Sequence, residues 1–565
     1  MEWWIADIKK VQVGCTYYKS GGIRTARGRN PDRRTSGGGG LPPAAATATF
    51  VTMRPLLICL CVSATLSCAR ASTVPAPADP SVDPPPAALV LRPLQPELFA
   101  APGSLVNALA DIDGDGDPDL FVGFNGTPNK LYRNDGGAFV DVAGAAGVAD
   151  ARPTRAAAFG DWDADGDADL LVGFAPGAGP VLRLYRNDGG RFTDATAIAG
   201  LAVASGAVRQ PVWVDYDADD DLDLFIAFRD RPNMMLRNES TKFVDVAEAI
   251  GLADTRRSVG AVWADLDIDG DLDVIVGNMD GDANGVFRND GGRFTDVAEL
   301  WRLAWGGRIP RDPTNGTVRP CVADLDNNGQ FDLLFANYGL PGLFLQEPQG
   351  RWVDVGAVRG VAADGRYDTC ATADVDNDGH LDFYINGTVT QGRNWPDHLY
   401  RQRRSTGHFE SDTPGALAAI TADHGAQWAD LDGDGAIDLS LTGQGPHAVL
   451  MNELPSAVAS RSVQVRVLDA AGRATRAGAE VRVYAAGTKR LLATRLVDAG
   501  SGYDAQSDLP VHVGLAGPGR VDIEVTWPAN GTRQVTRRNR VVLGAGVIEI
   551  RTGHSPSLAP RSPNR

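Results

Sequence analysis

Between residues 89 and 455 the apolar positions come in short runs separated by polar, glycine-rich turns, and the order of runs and turns repeats. A run ending in Asp enters a polar loop, and a second run such as Leu120-Phe121-Val122-Gly123 leaves it. A third follows as Lys130-Leu131-Tyr132-Arg133-Asn134, and the turn Asp135-Gly136-Gly137 leads into a fourth, Ala138-Phe139-Val140-Asp141-Val142. The turn and the fourth run return as Asn187-Asp188-Gly189-Gly190-Arg191-Phe192 and as Asn289-Asp290-Gly291-Gly292-Arg293-Phe294. Short apolar runs bounded by Gly/Asp/Asn turns predict strands. Four such strands in about fifty residues make one blade of a β-propeller.

The loop between the first two strands is the most regular part of the repeat. The string D-x-D-x-D-G-x-x-D, or a close variant, begins at Asp111, Asp161, Asp215, Asp265, Asp324, Asp374 and Asp430, at intervals of 50 to 59 residues. Positions 1, 3, 5 and 9 carry side-chain oxygens throughout. They are Asp111, Asp113, Asp115 and Asp119; Asp161, Asp163, Asp165 and Asp169; Asp215, Asp217, Asp219 and Asp223; Asp265, Asp267, Asp269 and Asp273. The last three sets are Asp324, Asp326, Asn328 and Asp332; Asp374, Asp376, Asp378 and Asp382; Asp430, Asp432, Asp434 and Asp438. A hard cation such as Ca2+ takes roughly six to eight oxygens, so oxygens must alternate along a tight turn with residues that point elsewhere.

Position 6 is Gly in six loops and Asp220 in the third, which suits a turn of positive φ. Position 7 varies among Asp117, Asp167, Asp221, Asp271, Gln330, His380 and Ala436, as expected where only a backbone carbonyl is needed. Position 2 is apolar and brackets the loop with buried strand. An EF-hand is excluded, since loop position 12 is Val122 in the first copy and Val172 in the second where that motif needs Glu. The pattern therefore predicts up to seven Ca2+ ions, one per blade.

The seventh unit stops at Leu450-Met451-Asn452, where its fourth strand should begin. Glu97-Leu98-Phe99, ahead of the first loop, is the candidate for that strand, and pairing the two would close the ring and hide both edges. After residue 455 no further loop occurs. Period-2 runs at Val463, Val465 and Val467, at Val481 and Val483, at Val511 and Val513, at Val521, Ile523 and Val525, and from Val541 to Ile550 predict a separate small β-sandwich over 460–551. The fold class is thus all-β, a seven-bladed propeller over 89–455 followed by that domain, with a disordered tail at 552–565.

The chain of 565 residues has a formal charge of -17, and its N-terminal 71 residues are basic, so the body is more acidic still. That argues against nucleic acid and anionic membrane as partners. Met53 to Ala71 has a basic start, a short apolar core and small residues at its end, the pattern of a secretory signal too short to span a bilayer. Cleavage after Ala71 implies free secretion; cleavage before Cys68 would give a lipoprotein on the periplasmic or cell surface. Residues 1–52 precede the signal and read as an extension ahead of a start at Met53, and 72–88 is a Pro/Ala-rich linker. Cys321 and Cys370 precede the fifth and sixth loops, 49 residues apart, and read either as a disulfide in an oxidising compartment or as two buried thiols.

The Asp loops with their N-D-G-G-x-F-x-D turns resemble the FG-GAP/VCBS repeats of integrin α-like propellers. Gly478-Ala479-Glu480-Val481-Arg482-Val483, Gly502-Tyr503-Asp504-Ala505-Gln506-Ser507, His512-Val513-Gly514-Leu515 and Trp527-Pro528-Ala529-Asn530-Gly531 resemble the ASPIC/UnbV domain. In order and spacing the whole is similar to the cartilage acidic protein 1-like family and looks like a bacterial member. It departs in having Val513 where the domain usually carries Phe, and in showing no EGF-like cysteine module. The resemblance implies calcium bound by the matching loop residues and an extracellular binding role.

No H-E-x-x-H, G-x-S-x-G or phosphate-loop motif is present. Carboxylates gathered on a cation are held ionised and make poor proton donors, so the loops are expected to fasten hairpins and not to do chemistry. The favoured reading is a monomeric adhesion or ligand-binding scaffold for an extracellular protein or glycan. The alternative is a polysaccharide-active lyase or hydrolase on the same propeller, with Tyr367, Asp368, Trp395 and His398 as its candidate rim residues.

Overall fold

The computed structural model describes residues 88–553 apart from positions 178, 349, 391, 421, 422, 518, 530 and 545. The extension 1–52, the signal segment 53–71 with Cys68, nearly all of the linker 72–88 and most of the tail 552–565 lie outside the described residues.

Seven four-stranded antiparallel blades follow one another in chain order. Blade 1 is Ser104–Ala110, Asp119–Phe124, Lys130–Asn134 and Phe139–Asp141. The innermost strands of blades 2 to 7 are Thr154–Gly160, Val208–Val214, Ser258–Ala264, Gly316–Ala323, Gly365–Ala373 and Asp423–Ala429. Each innermost strand packs against the next, and the seventh against the first, so the ring is closed. Ser104–Ala110 and Asp119–Phe124 are buried along their whole length, which is why the sequence shows continuous apolar runs there and not alternation. A register shift interrupts the pairing of the first two strands in all seven blades, a bulge that bends each innermost strand along the axis.

The cores lie between blades. Trp162, Trp213 and Phe243 fill the space between blades 2 and 3, and Phe225, Trp263 and Phe294 the space between blades 3 and 4. The position-2 residues of the loops, Ile112, Trp162, Tyr216, Leu266, Leu325, Val375 and Leu431, are all buried. A disulfide joins Cys321 and Cys370, on the innermost strands of blades 5 and 6.

The strand that closes the ring is not the one expected. Leu91–Pro93 pairs antiparallel with Leu450–Asn452, in the register Leu91 to Asn452 and Pro93 to Leu450. Glu97–Phe99 instead follows a tight turn in which Leu98 N–H donates to Gln95 O at 2.8 Å. Gln95 has a positive φ of 39°, which breaks the extended path. Phe99 is fully buried edge-on to Tyr132 at 4.7 Å, a core anchor and not a strand residue. Pro93 is tolerated because this is the outermost strand of its blade.

Residues 463–551 form the sandwich. Val463–Leu468 lies between Val511–Val513, antiparallel, and Val547–Arg551, parallel. The facing sheet runs Leu491–Leu496, Glu480–Ala485, Arg520–Pro528, Arg533–Val542. Val465, Val481, Val513, Ile523, Val525 and Trp527 meet between them. The single run expected from Val541 to Ile550 is two strands in different sheets, divided at Gly544 and Gly546, both of positive φ. Among the described residues no helix is long and apolar enough to cross a membrane.

Leu91 is 6% exposed and packs with Tyr384, Leu399 and Leu450. Leu91→Ala is expected to destabilise the chain by about 2–4 kcal/mol, as large-to-small changes at buried sites do. Equilibrium urea unfolding checks this, and an unchanged midpoint would mean that Leu91–Pro93 does not close the ring.

Candidate metal centres

The seven loops share one hydrogen-bond plan. The position-1 carboxylate accepts backbone N–H groups from inside its own loop: Asp111 takes Gly114 and Gly116 at 2.8 and 3.0 Å, and Asp374 takes Asp378 and Gly379 at 2.9 and 2.7 Å. The position-5 oxygen accepts the N–H of position 7 in every loop, from Asp115 with Asp117 at 2.9 Å to Asp434 with Ala436 at 2.7 Å. Position 6 has positive φ in all seven, including Asp220 at 71°. So does position 4, held by Gly114, Ala164, Ala218, Ile268, Asn327, Asn377 and Gly433. That second left-handed residue was not anticipated, because its occupant is not restricted to Gly. Ile268 at φ 65° is the costliest case, since a β-branched side chain crowds the backbone there.

The position-9 aspartate has a fixed structural task. Its Oδ2 accepts the N–H of position 2, as in Asp119 with Ile112 at 2.8 Å. Its Oδ1 accepts the N–H of a residue at the end of the third strand or, for Asn187, immediately after it: Asn134, Asn187, Asn238, Asn289, Gln346, Gln402 or Asn452, at 2.7 to 2.9 Å. The side-chain amide of that same residue then donates to the position-2 carbonyl of the preceding blade. Asn134 reaches Leu431 O at 2.7 Å, Asn187 Ile112 O at 2.9 Å, Asn238 Trp162 O at 3.1 Å and Asn289 Tyr216 O at 3.5 Å. Gln346, Gln402 and Asn452 complete the circuit at 2.7, 2.6 and 2.8 Å. The Asn of the N-D-G-G turn, legible in sequence only as a turn residue, is thus an inter-blade stitch.

Carboxylate oxygens converge in these loops. Asp111, Asp113 and Asp115; Asp161, Asp163 and Asp169; Asp215, Asp217 and Asp223; Asp265, Asp267 and Asp269; and Asp324, Asp326 and Asp332 each bring one oxygen within 4.8 Å of the others. Several oxygens in the loops are buried without any hydrogen-bond donor, among them Asp163, Asp217 and Asp267 Oδ1 at position 3 and Asp430 Oδ1 at position 1. A buried acceptor left without a donor is costly, and an oxygen-seeking cation is the partner that this donor set fits. Burial, with repulsion from neighbouring carboxylates, pushes Asp119 up to about 7, Asp169 to about 8 and Asp223 to about 10, against the lowering effect of their backbone hydrogen bonds. Asp273, Asp332, Asp382 and Asp438 are raised for the same reason. A divalent cation reverses that pressure by favouring the ionised form.

The sandwich does not stand apart from these loops. Arg476 reaches Asp215 at 3.4 Å and Asp220 at 2.5 Å in loop 3, and Arg533 reaches Asp265 at 3.2 Å in loop 4. Gln464 donates to Asp430 Oδ2 at 2.7 Å in loop 7, and Gly531 N–H to Asp271 at 2.7 Å. The buried Arg495 lies close enough to Asp374 and Asp324 for their charges to oppose the lowering that burial imposes on its guanidinium. Loops 3 to 7 are therefore touched by the sandwich. Among the described residues, none of its side chains is paired with a carboxylate of loops 1 and 2.

From the same domain, residues 498–509 descend into the propeller axis. Ala505 and Gln506 pair in parallel with Ala157 and Ala158. The Gln506 amide grips Trp213, its Oε1 accepting from the backbone N–H at 2.6 Å and its Nε2 donating to the carbonyl at 3.1 Å. Trp263 N–H donates to Ala499 O at 3.0 Å, Asp508 N–H to Leu109 O at 2.8 Å, and Arg319 to Gly500 O. With Gln427 Nε2 donating to Ser501 Oγ at 3.1 Å, this segment bonds to the innermost strands of blades 1 to 5 and 7, so it plugs the channel.

Of the expected rim residues, Asp368 alone faces the axis, where it meets His424 and Tyr338. Tyr367 is buried with its hydroxyl on Ala363 O, His398 bonds Ser411 Oγ, and Arg393 stacks on Trp395.

Fold and loops together define a seven-bladed carboxylate-loop propeller with a docked, plug-bearing β domain. Residues 111–172, 215–276, 265–335 and 324–385 match the FG-GAP-like repeat, and residues 471–542 match the ASPIC and UnbV domain. The chain belongs to the FG-GAP-like repeat proteins that carry an ASPIC and UnbV domain. It is similar to cartilage acidic protein 1 of Homo sapiens, 28% identical over 300 residues that cover 50% of this chain and 43% of that protein. The Mus musculus protein is 27% identical over 300 residues, covering 50% of this chain and 44% of its own length. The chain thus spans less than half the length of these relatives. Among solved structures, an Agrocybe aegerita lectin whose structure describes recognition of non-reducing terminal N-acetylglucosamine is 17% identical. It covers 65% of this chain and 94% of its own at a TM-score of 0.37, too distant to bear on function.

Asn238→Ala removes the stitch between blades 2 and 3 and leaves Trp162 O and Leu222 O without that donor. It is expected to cost about 1–3 kcal/mol. Chemical denaturation checks the value, and a loss below about 0.5 kcal/mol would contradict the stitch.

Proposed function

We propose that this chain is an extracellular, calcium-clamped scaffold for adhesion or ligand binding. Calcium sits in the seven Asp loops, held by positions 1, 3, 5 and 9 with the carbonyl of position 7, and fastens the first hairpin of each blade. The observation that carries the reading is the set of converging carboxylate oxygens, several of them buried without a donor, on one hydrogen-bond plan repeated in all seven blades. A cation there would satisfy these oxygens and lock two left-handed backbone positions per loop, so binding to the folded state alone would raise its stability. Export through the segment 53–71, a monomeric state, and an extracellular protein or glycan as partner belong to the same reading. The disulfide and the similarity to cartilage acidic protein 1 support an oxidising, extracellular setting.

The sandwich divides the sites into two classes. Loops 3 to 7 lie under its side chains and loops 1 and 2 do not, so ions in the first two exchange with fewer barriers. When calcium-saturated protein is mixed with excess chelator, calcium release is expected in two phases, about two ions fast and about five slow. A single phase would contradict the capping. Arg533→Ala is expected to move loop 4 towards the fast class without lowering the total.

The pH dependence has a definite sign. In metal-free protein the position-9 aspartates have folded pKa values raised above about 4, so their contribution is full below the unfolded value and is lost as pH rises through the folded one. Metal-free protein should therefore lose melting temperature between about pH 4 and pH 8, and saturating Ca2+ should abolish most of that slope. Equal slopes with and without Ca2+ would overturn the assignment.

A further inference from the structure

A cleft of about 480 Å³ opens where the sandwich meets loops 5 and 6. Its propeller side is built from Asn327 of loop 5 and from Asp378 and His380 of loop 6, with Arg404 beside them, and one end of the sandwich supplies the other side. The two sides touch at their edges. A Cβ placed on Gly329 would lie 2.9 Å from Leu491 Cδ2, and one on Gly379 would lie 3.4 Å from Ala516 N. Docking therefore fixes the shape of the cleft, and its volume falls within the range of small-molecule sites, roughly 300–1,000 Å³.

The charge of the cleft is opposite to that of the chain. Arg404, Arg490 and Arg520 line it against a single carboxylate, Asp378, in a protein whose formal charge is -17. Arg404 Nε lies 3.7 Å from Asp378. Arg490 and Arg520 are exposed and, among the described residues, neither has a carboxylate partner. Arg520 Nη1 donates to Arg540 O at 3.2 Å, a neutral acceptor that leaves the charge uncompensated. Asp522, two residues away, is taken by the N–H groups of Gly487 and Arg540 at 2.7 and 2.8 Å. Backbone bonds bring the two arginines to one place: Ala485 N–H donates to Arg490 O at 3.0 Å and Ala486 N–H to Arg520 O at 3.3 Å, so they flank the end of Glu480–Ala485.

Beside this charge the sandwich side is aliphatic. Leu491, Leu492 and Leu543 are half-buried in the lining, and Leu492 and Leu543 pack on the sandwich core. Among the described residues no Phe, Tyr or Trp lines the cleft, so it lacks a platform on which a planar ligand would stack. A few polar groups of one sign at the edge of an apolar surface select a ligand that is itself apolar along its length and charged at one end.

We propose that this cleft binds an aliphatic carboxylate, its chain on Leu491, Leu492 and Leu543 and its carboxylate at Arg490 and Arg520. Guanidinium groups match carboxylates in charge and fork geometry, and an apolar chain gains by leaving water. The proposal rests on the ligand-binding reading above and gives it a ligand class and a place. The calcium of that reading enters only through Asp378, whose charge an ion in loop 6 would offset.

The test is isothermal titration of the full, calcium-saturated chain with octanoate, with 1-octanol as its uncharged counterpart and acetate as its chainless one. Octanoate is expected to bind at least tenfold more tightly than either. The chain carrying Arg490→Gln and Arg520→Gln together should bind octanoate at least tenfold more weakly, while melting temperature and calcium stoichiometry stay unchanged because both side chains are exposed. No binding of octanoate, equal binding of octanol or acetate, or binding that the double variant retains would overturn the proposal. Calcium counted in the same samples separates its failure from failure of the metal reading.

Discussion

Each blade depends on one buried carboxylate. The position-9 aspartate accepts a backbone N–H from the loop that precedes it and another from the third strand, and so fixes the first three strands of its blade relative to one another. The residue whose N–H it accepts then spends its side-chain amide on the neighbouring blade. A local turn, a blade and a seven-membered ring are thereby linked through a single acceptor type. Because that acceptor is buried among other carboxylates, the arrangement carries an electrostatic cost that a cation relieves. The metal reading and the ring geometry follow from the same fact.

The sandwich adds a second closure. A ring held only by neighbour contacts has one seam, between the first blade and the last, and here Leu91–Pro93 closes it from outside. Residues 498–509 close it from inside by bonding to innermost strands from six blades at once, the first and the last among them. Arg476, Arg533 and Gln464 dock the same domain on the loop face, where their donors meet position-1 carboxylates. Propeller and sandwich are thus one mechanical unit.

Much of this was legible in the sequence, and the rest was hidden for physical reasons. The seven loops, their position-6 glycines and the blade order are written in local strings, because turn geometry demands particular residues at particular places. The left-handed position 4 escaped notice because Gly114, Ala164, Ile268 and Asn327 have no type in common. The ring-closing strand was misplaced because Glu97-Leu98-Phe99 and Leu91-Arg92-Pro93 are equally short. Only the turn at Gln95 and the burial of Phe99 decide between them. The plug was invisible as such: Gly502-Tyr503-Asp504-Ala505-Gln506-Ser507 signals a domain but carries no trace of partners roughly three hundred residues away. The His424–Asp368 pair, 56 residues apart on adjacent blades, likewise has no local signature.

Everything above turns on whether the loops are occupied clamps or bare acidic turns. Elemental analysis of calcium bound per purified chain, after gel filtration in buffer with a small excess of Ca2+, tests it most directly. The account predicts a number approaching seven, one for each Asp loop. A chain that keeps no calcium while remaining folded would contradict it.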